Sequence, residues 1–338
     1  MDYPAAVQTA SVLKRRRLLW ILLAVLLLVT AVSLLAGRYP SVRLLSPQAL
    51  TDDPVAGRLV WNLRLPRLIT AVLLGMSLSA AGTIFQMLFG NPLVEPGFLG
   101  VSQGAAFGAA LCIVFFGSSV WLVQGFAAVF AVAGLGISYL LARRVRYGGW
   151  VLRLVLSGIA VSALFSAGVG VLKYLADPLS QLPEITFWLL GGLSNIQWGK
   201  ALAVIPLAAG GLLVSLAMRW RLNLLSLGDT AAHSLGASVS RERAVLLAAA
   251  VLPTAAVISA AGIVGWVGLI MPHIARRIFG ADARFALPGA MLLGGIFTVI
   301  CDDLARMLLA GEIPLGILTS LLGAAIFLAL MARIRVQR

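Results

Sequence analysis

Long apolar runs, separated by short polar segments that contain glycine and proline, make up most of the chain. Several runs reach the roughly 20 residues that an α-helix needs to cross about 30 Å of hydrocarbon. The sequence does not show the alternating pattern of membrane barrel strands. The predicted spans lie at residues 18–36, 64–84, 99–117, 121–141, 152–175, 200–218, 244–261, 263–279, 286–304 and 314–332. We therefore expect an all-α, polytopic integral membrane protein with ten transmembrane helices.

The composition supports a membrane protein. Of the 338 residues, 61% are hydrophobic and 11% are charged, and the mean hydropathy is +1.01; soluble domains carry about 25% charged residues. Lys14 to Arg17 precede the first span as in a signal peptide, but 19 apolar residues without a clear cleavage site favour an uncleaved helix. We predict an N-terminal segment (1–17) and a single membrane domain (18–338).

Basic residues set the expected orientation. With the N-terminus inside, 18 of the 26 Lys and Arg residues fall on the cytoplasmic side. This bias agrees with the positive-inside rule and places both termini in the cytoplasm. The inner group comprises Lys14, Arg15, Arg16, Arg17, Arg143, Arg144, Arg146, Arg153, Arg219, Arg221, Arg241, Arg243, Arg276, Arg277, Arg284, Arg333, Arg335 and Arg338. Topology thus explains the net charge of +14, and no basic stripe with stacking aromatics indicates nucleic acid as a partner.

One inner connection differs from the others. The turn segment, residues 89–108 (FGNPLVEPGFLGVSQGAAFG), contains no Lys or Arg, and Pro92 and Pro96 prevent a continuous helix. Irregular backbone at membrane depth is tolerated where it is buried in protein or lines an aqueous cavity. Gly100, Gly104 and Gly108 recur every four residues, so they predict a smooth helix face for close packing. The segment is either a helix-packing turn or a constriction of a transport pathway.

The sequence carries no nucleotide-binding or catalytic motif. SNIQWGKA (194–201) departs from a P-loop at its first glycine and after its lysine. The spans also lack the acidic or histidine relay of a proton-coupled carrier, so energy has to come from a partner. His233 and His273 form no cluster, and Cys112 and Cys301 lie in separate apolar runs, so we predict no metal site, disulfide framework or cofactor in this chain.

Five motifs resemble one family of membrane proteins. They are RLPR (64–67), NPLVEPGFLGVSQGA (91–105), IVGWVGLIMPHIAR (263–276), DDLAR (302–306) and EIPLGILTSLLGAAIF (312–327). Together they resemble, from about residue 18 onward, the permease subunits of ATP-driven importers for ferric siderophores, heme and vitamin B12. An uncoupled channel, a secondary carrier and a membrane enzyme are the alternatives from other classes.

The resemblance implies a set of partners. Such permeases pair with a second copy or a paralogue in the bacterial inner membrane, and two cytoplasmic ABC ATPases bind ATP and Mg for them. A periplasmic or lipid-anchored binding protein delivers the substrate. On family frequency alone we favour a ferric siderophore, with heme and cobalamin as alternatives.

The coupling segment, residues 219–243, is the longest inner connection. Its LGDTAAHSLG stretch has the composition of a short helix with Asp229 near its start and Gly236 after its end. The resemblance implies that this segment seats on the ATPase; the alternative is a solvated loop. The candidate coupling residues are Leu227, Gly228, Asp229, His233, Leu235 and Gly236.

The resemblance also implies outer docking arginines and an inner gate. Arg64, Arg67 and Arg306 match family arginines that pair with glutamates of the binding protein. Snorkelling to lipid headgroups, or pairing of Arg306 with Asp302 one turn away, are the alternatives. Asn91 and Leu93 match the inner constriction. Val151 and Leu152 lie near a second constriction, which small hydroxyl residues line in the vitamin B12 importer, so the resemblance implies an apolar seal here instead.

Overall fold

The computed structural model describes residues 5–39, 43–46, 48, 52–309 and 311–332, apart from the side chains of residues 5–11, 43 and 44. Three basic residues used in the orientation prediction, Arg333, Arg335 and Arg338, lie outside this range, as do the first four residues of the predicted N-terminal segment.

Thirteen α-helices run through the described residues, which confirms the predicted all-α fold. They are α1 (Ala5–Leu35), α2 (Pro54–Leu88), α3 (Val101–Phe115), α4 (Val120–Arg144), α5 (Trp150–Leu175), α6 (Gln181–Leu190), α7 (Trp198–Ala217), α8 (Arg219–Leu225), α9 (Asp229–Ser234), α10 (Val239–Ala261), α11 (Val267–Phe279), α12 (Ala283–Met307) and α13 (Leu315–Ala332). Two-residue strands, β1 (Ala36–Gly37) and β2 (Arg43–Leu44), form an antiparallel pair after α1.

Eight of the described helices are long and apolar enough to cross a membrane: α1 from Val12, α2, α4, α5, α7, α10, α12 and α13. The helices α3 and α11 have 15 and 13 residues, respectively. At about 1.5 Å per residue, both are shorter than the hydrocarbon core. Their predicted spans begin in backbone that is not α-helical, at Pro96–Leu99 and at residues 263–266. The predicted count of ten spans therefore stays a prediction.

The second span begins earlier than predicted. The helix starts at Pro54, where the Asp53 side chain caps it by accepting a hydrogen bond from the Val55 N–H at 2.8 Å. A π-helical turn at Val60–Arg64 precedes Pro66. Because proline has no N–H and its ring clashes with the carbonyl four residues before it, the wider turn lets the helix pass through this point. Arg64 and Arg67 consequently lie inside α2 and not at its first residues.

Three helices form the centre of the bundle. In their most apolar windows, 78% of the residues of α2, 78% of α10 and 67% of α12 are buried, against 11 to 33% for the other spanning helices. Glycines let α2 and α12 approach closely: a Cβ atom on Gly75 would lie 2.1 Å from the Gly294 carbonyl oxygen. The outer helices expose large apolar side chains such as Leu28, Leu164 and Leu328. In a membrane these surfaces face lipid or another subunit.

The connections contain elements that the sequence pattern did not predict, among them the β1–β2 pair and α8. Another is helix α6 (Gln181–Leu190), which lies between the fifth and sixth predicted spans. With ten residues, it is too short to appear as a span.

Candidate functional site

The first candidate site is the arginine cluster, which consists of Arg64, Arg67 and Arg306 with their acidic neighbours near one end of α2 and α12. Arg67 donates two hydrogen bonds from Nε to the Asp302 carboxylate, both at 3.0 Å, and one from NH2 to Oδ1 at 2.9 Å. Its NH1 group donates to both oxygens of Glu312, at 2.9 and 3.0 Å. The Asp302 side chain is 1% exposed and that of Glu312 is 42% exposed.

The other two arginines tie α1 to the cluster. Arg64 is buried, and its NH1 group donates to the carbonyl oxygens of Leu34 and Leu35 at 3.1 and 3.0 Å. Arg306 donates to the Ser33 carbonyl at 2.7 Å and forms an ion pair with Asp303. The alternative pairing of Arg306 with Asp302 is also present, since their Nε and Oδ2 atoms lie 3.9 Å apart.

All three predicted docking arginines are therefore engaged within the subunit. Arg64 is buried as a whole residue, and the side chains of Arg67 and Arg306 are 11% and 10% exposed. Buried cations need carboxylates or carbonyl oxygens as partners, and each arginine has them here. The outermost partner is Glu312, so a carboxylate approaching Arg67 from outside would meet this side chain first.

A cavity of about 340 Å³ opens beside the arginine cluster. Arg67, Glu184, Lys200 and Glu312 contribute charged groups to its wall, and Gln124, whose buried side-chain oxygen has no hydrogen-bond partner, also lines it. Pockets for drug-sized molecules span about 300 to 1,000 Å³. The cavity is thus at the small end of that range.

The turn segment folds as a series of tight turns. Gly90 has φ +60°, and the Asn91 side-chain oxygen accepts a hydrogen bond from the Leu93 N–H at 2.9 Å. Asn91 and Leu93 are exposed on the subunit surface, and Leu93 shows 53% of its area. The next residue, Val94, is buried in the core and anchors the turn.

The three glycines of the turn segment that recur every four residues pack against helix backbone. A Cβ atom on Gly104 would lie 2.3 Å from the Phe130 carbonyl oxygen, and one on Gly108 would lie 2.4 Å from that of Phe126. Gly100 has φ +82° and precedes the first residue of α3. The face that these glycines share therefore lies against α4 at a distance that no larger residue permits.

Gln86 and Arg276 hold the turn segment against α11. The Gln86 Nε2 group donates to the carbonyl oxygens of Val94 and Leu269, both at 3.2 Å. Its side-chain oxygen accepts a hydrogen bond from Arg276 NH2 at 2.5 Å. Gln86 is buried, so these bonds satisfy an amide that would otherwise be costly inside the bundle.

Glu95 adds a second tie between the turn segment and α11. Burial raises the pKa of its carboxyl group, whereas a hydrogen bond from the Trp266 backbone N–H acts to lower it; the net shift is upward. Trp266 is the one non-glycine residue with positive φ in the described chain, at +71°, directly before α11. The carboxylate therefore supports a strained backbone position.

Aromatic side chains connect the two predicted gate segments, which are the turn around Asn91 and Leu93 and the start of α5 with Val151 and Leu152. Phe89, at the start of the turn segment, and Trp150, the first residue of α5, have ring centroids 6.1 Å apart. The neighbouring residue Val151 is half-buried against the core, and Leu152 is 44% exposed. The structure thus brings the start of α5 next to the turn that carries Asn91.

The coupling segment contains two short helices, α8 and α9, before α10 begins. Helix α9 ends at Ser234; two residues later Gly236 has φ +83°, and its N–H donates to the His233 carbonyl at 2.9 Å. This left-handed residue gives the helix its C-terminal turn. All six predicted coupling residues are exposed: Leu227, Gly228, Asp229, His233, Leu235 and Gly236.

Polar contacts fix the coupling segment to the bundle. The Asn223 side chain in α8 donates to Asp282 at 2.8 Å and accepts from the Ala283 N–H at 2.8 Å. Burial acts to raise the pKa of Asp282, but hydrogen bonds from Arg284 and Asn223 outweigh it and lower this pKa to about 2. Arg243 in α10 pairs with Asp229 in α9.

Sequence reasoning did not single out Phe89, Trp150, Arg243, Gln86 or Arg276 as site residues, although Phe89 and Arg243 lie in the turn and coupling segments that it marked. Only distant residues complete their contacts: Gln86 and Arg276 are 190 positions apart, for instance. For Arg243, the sequence signal was its place at the end of a basic inner segment, which indicates topology and not a contact.

The described residues contain no group of three His, Cys, Asp or Glu side chains placed to hold a metal ion. Cys112 and Cys301 are buried free thiols.

Comparison with known proteins gives matches over nearly the whole chain. Residues 14–333 match the FecCD transport family. The chain is 38% identical over 323 residues to the molybdate import system permease protein MolB of Haemophilus influenzae, covering 93% of this chain and 95% of that protein. This chain is also 40% identical over 284 residues to the hemin transport system permease protein HmuU of Yersinia pestis, and the match covers 82% of this chain and 85% of that protein.

A solved structure shares the fold. It is described as an inward-facing conformation of a metal-chelate type ABC transporter, and it is 35% identical to this chain with a TM-score of 0.86. The similarity covers 94% of this chain and 100% of that one.

Proposed function

Because the chain belongs to the FecCD transport family, we propose that it is the transmembrane permease of an ATP-driven importer that carries a ferric siderophore into the cytoplasm. The observation that carries this proposal is the family match over residues 14–333, which leaves only the chain ends outside it. A transport function also agrees with the eight apolar helices long enough to span a membrane.

The substrate is the finer part of the proposal. The relatives are named for molybdate and hemin, and the structural neighbour for a metal chelate, so the family accommodates chemically different cargo. A ferric siderophore remains our choice, with heme and cobalamin as alternatives. The cavities of about 340 and 430 Å³ within the subunit are small for such molecules. We therefore place the pathway between two copies, or between this chain and a paralogue.

Partners supply the energy and the cargo. Two cytoplasmic ABC ATPases bind ATP and Mg, since the sequence has no P-loop of its own. The exposed coupling segment is their contact surface, and Asn91, Leu93, Val151 and Leu152 form the inner gate. A periplasmic or lipid-anchored binding protein delivers the substrate to the outer face. The complex lies in the bacterial inner membrane with both termini in the cytoplasm, as the basic residues predict.

Docking of the binding protein involves the arginine cluster. Reversing Arg67 to Glu is not a clean test of this assignment, because Arg67 is already bonded to Asp302 and Glu312. A glutamate at position 67 would place three carboxylates together and destabilise the fold. Replacing Arg67 and Asp302 together, as Arg67→Gln with Asp302→Asn, removes the cation and its buried counter-charge at once. The folded permease should survive, and the affinity for the binding protein should fall by thirtyfold or more, roughly the effect of losing one buried charge pair.

The exposed Arg58 provides the matched control. Arg58→Gln removes one positive charge near the same end of α2 without touching the cluster, so it should change binding mainly at low salt. Binding is measured with permease and ATPase in nanodiscs. If the double variant binds like wild type, the cluster is structural and the docking assignment is wrong.

Substrate identity is tested on the binding protein encoded alongside the permease. A ferric siderophore, heme, cobalamin and molybdate are compared for their effect on its melting temperature, because a ligand that binds the folded state raises this temperature. The proposal expects a rise with a ferric siderophore. A rise with only another of these ligands would correct the substrate and leave the importer function in place.

A further inference from the structure

Arg243 contacts both the coupling segment and the start of α5. Its side chain is 9% exposed, and its NH1 group lies 3.4 Å from an oxygen of Asp229 in α9. On its other side, the guanidinium carbon lies 4.2 Å from the ring centroid of Trp150. This distance is well within the roughly 6 Å of a cation–π contact. The planar guanidinium can stack on the Trp150 ring while its N–H groups bond to the Asp229 carboxylate. The ammonium group of lysine cannot make both contacts in this way.

The contacts continue from Trp150 into both gate segments. Its ring lies 6.1 Å from that of Phe89, which stacks on Phe85 at 5.7 Å. Such distances are typical of favourable aromatic pairs. Phe89 comes two residues before Asn91, and Trp150 comes directly before Val151. A continuous path of side chains therefore runs from α9 to both gate segments.

The surroundings of Arg243 leave space for a second arrangement. A surface cavity of about 430 Å³ borders Arg243, Trp150, Asp229 and His233. The Asp229 side chain is 61% exposed and lies on the short helix α9, whereas the Arg243 side chain is 9% exposed and lies on α10. A displacement of α9 would pull the charged edge of Arg243 into or out of this cavity.

We propose that Arg243 is a positioning residue that transmits movement of α9 to the gate segments through its stack on Trp150. This inference rests on the proposed function, because α9 has to contact the ATPase and the gate has to lie at Phe89 and Trp150. The path of contacts begins at Asp229 and ends at Phe89. Neither Arg243 nor Trp150 needs to touch ATP or substrate.

The experiment uses the full complex of permease, ATPase and binding protein in proteoliposomes. It measures ATP hydrolysis and substrate uptake together, and reports substrate molecules moved per ATP hydrolysed. Trp150→Leu removes the aromatic face and keeps the Arg243–Asp229 pair, whereas Trp150→Phe restores a ring. Arg243→Lys keeps the charge and loses the planar stack. Arg144→Met and Tyr147→Leu alter exposed residues near the start of α5 and serve as controls.

Uptake per ATP should fall about tenfold for Trp150→Leu and Arg243→Lys, within the range typical of coupling between two sites. Trp150→Phe should recover most of the loss, and the two controls should match wild type. Asp229→Asn combined with Trp150→Leu should be no worse than the stronger single variant, because both interrupt one path.

Two results would overturn the inference. One is unchanged uptake per ATP in Trp150→Leu, and the other is a double variant whose loss is the product of the single losses. A wild-type complex that neither hydrolyses ATP nor moves substrate would instead contradict the proposed function, so the two failures are distinguishable. If Arg243→Lys does not assemble, the Trp150 variants decide the question alone.

Discussion

Arg67 and Asp302 form a bidentate ion pair across the bundle, although 235 positions separate them in the chain. The pair joins α2 to the last turns of α12, and the side chain of Asp302 is almost fully buried. Glu312 approaches the same guanidinium from the exposed side. The arginines that the sequence marks for docking thus also have a structural role within the subunit.

This pair gives a prediction about stability. Asp302→Ala leaves the buried Arg67 cation with only its exposed partner, so the free energy of unfolding should fall by about 3 to 5 kcal/mol. Glu312→Gln removes an exposed partner of the same arginine and should cost at most about 1 kcal/mol. Unfolding of the purified permease in mixed micelles measures both values. Equal losses in the two variants would show that burial of Asp302 does not determine its contribution.

The contact between α3 and α4 gives a prediction about packing. Gly104→Ala places a methyl group 2.3 Å from the Phe130 carbonyl oxygen, so the helices have to separate. We expect a loss of about 1 to 3 kcal/mol, as for other overpacked interiors. A Cβ atom added to Gly125 or Gly136 on α4 would instead lie in open space. Their alanine variants should be neutral or up to about 1 kcal/mol more stable in the same unfolding assay. A neutral Gly104→Ala would refute the close approach.

The end of α9 gives a prediction about coupling. Gly236 has φ +83° and open space around its Cβ position, so the cost of substitution comes from the backbone and not from a clash. A β-branched valine is strained there, whereas asparagine tolerates the left-handed conformation. Gly236→Val should separate ATP hydrolysis from uptake, and Gly236→Asn should stay close to wild type. If the Gly236→Val variant is expressed normally and transports normally, the helix end is not needed for coupling.

Asp282 gives a prediction about pH. Its pKa in the folded protein is about 2, below its ordinary value of 3.8. Its contribution to stability is therefore fully present above about pH 4 and is lost as the pH falls through about 2. Asp282→Asn removes this titration, so the stability difference between wild type and variant should shrink between pH 4 and pH 2. Thermal melts of the two proteins across this range measure the difference. A constant difference would mean that the carboxylate is not held by Arg284 and Asn223.

The sequence predicted the helical membrane fold because apolar runs of spanning length are a property of local composition. Helix ends were harder: the sequence placed the start of the second span at residue 64, whereas the helix begins at Pro54, since a π-helical turn allows it to pass through Pro66. The irregular start of the eighth predicted span was also missed: α11 begins only at Val267, after Trp266 with its positive φ of +71°, and the apolar run 263–279 gives no local sign of this break.

Side-chain partners were the least predictable part of the candidate sites. The motif RLPR marked Arg67 as important, but nothing local to it indicates a carboxylate from α12. Likewise, the stack of Arg243 on Trp150 depends on how α10 packs beside α5. By contrast, the four-residue spacing of Gly104 and Gly108 predicted a close helix contact, because such spacing defines one helix face within a single element.

Uptake into proteoliposomes tests the central claim most directly. The permease is reconstituted with its partner ATPase, and the ferric siderophore is supplied on its binding protein. The account predicts that labelled iron accumulates inside only when ATP and Mg are present on the ATPase side, and that permease without ATPase neither hydrolyses ATP nor accumulates iron. Accumulation by the permease alone, driven by an ion gradient or without ATP, would contradict the account and indicate a secondary carrier or channel.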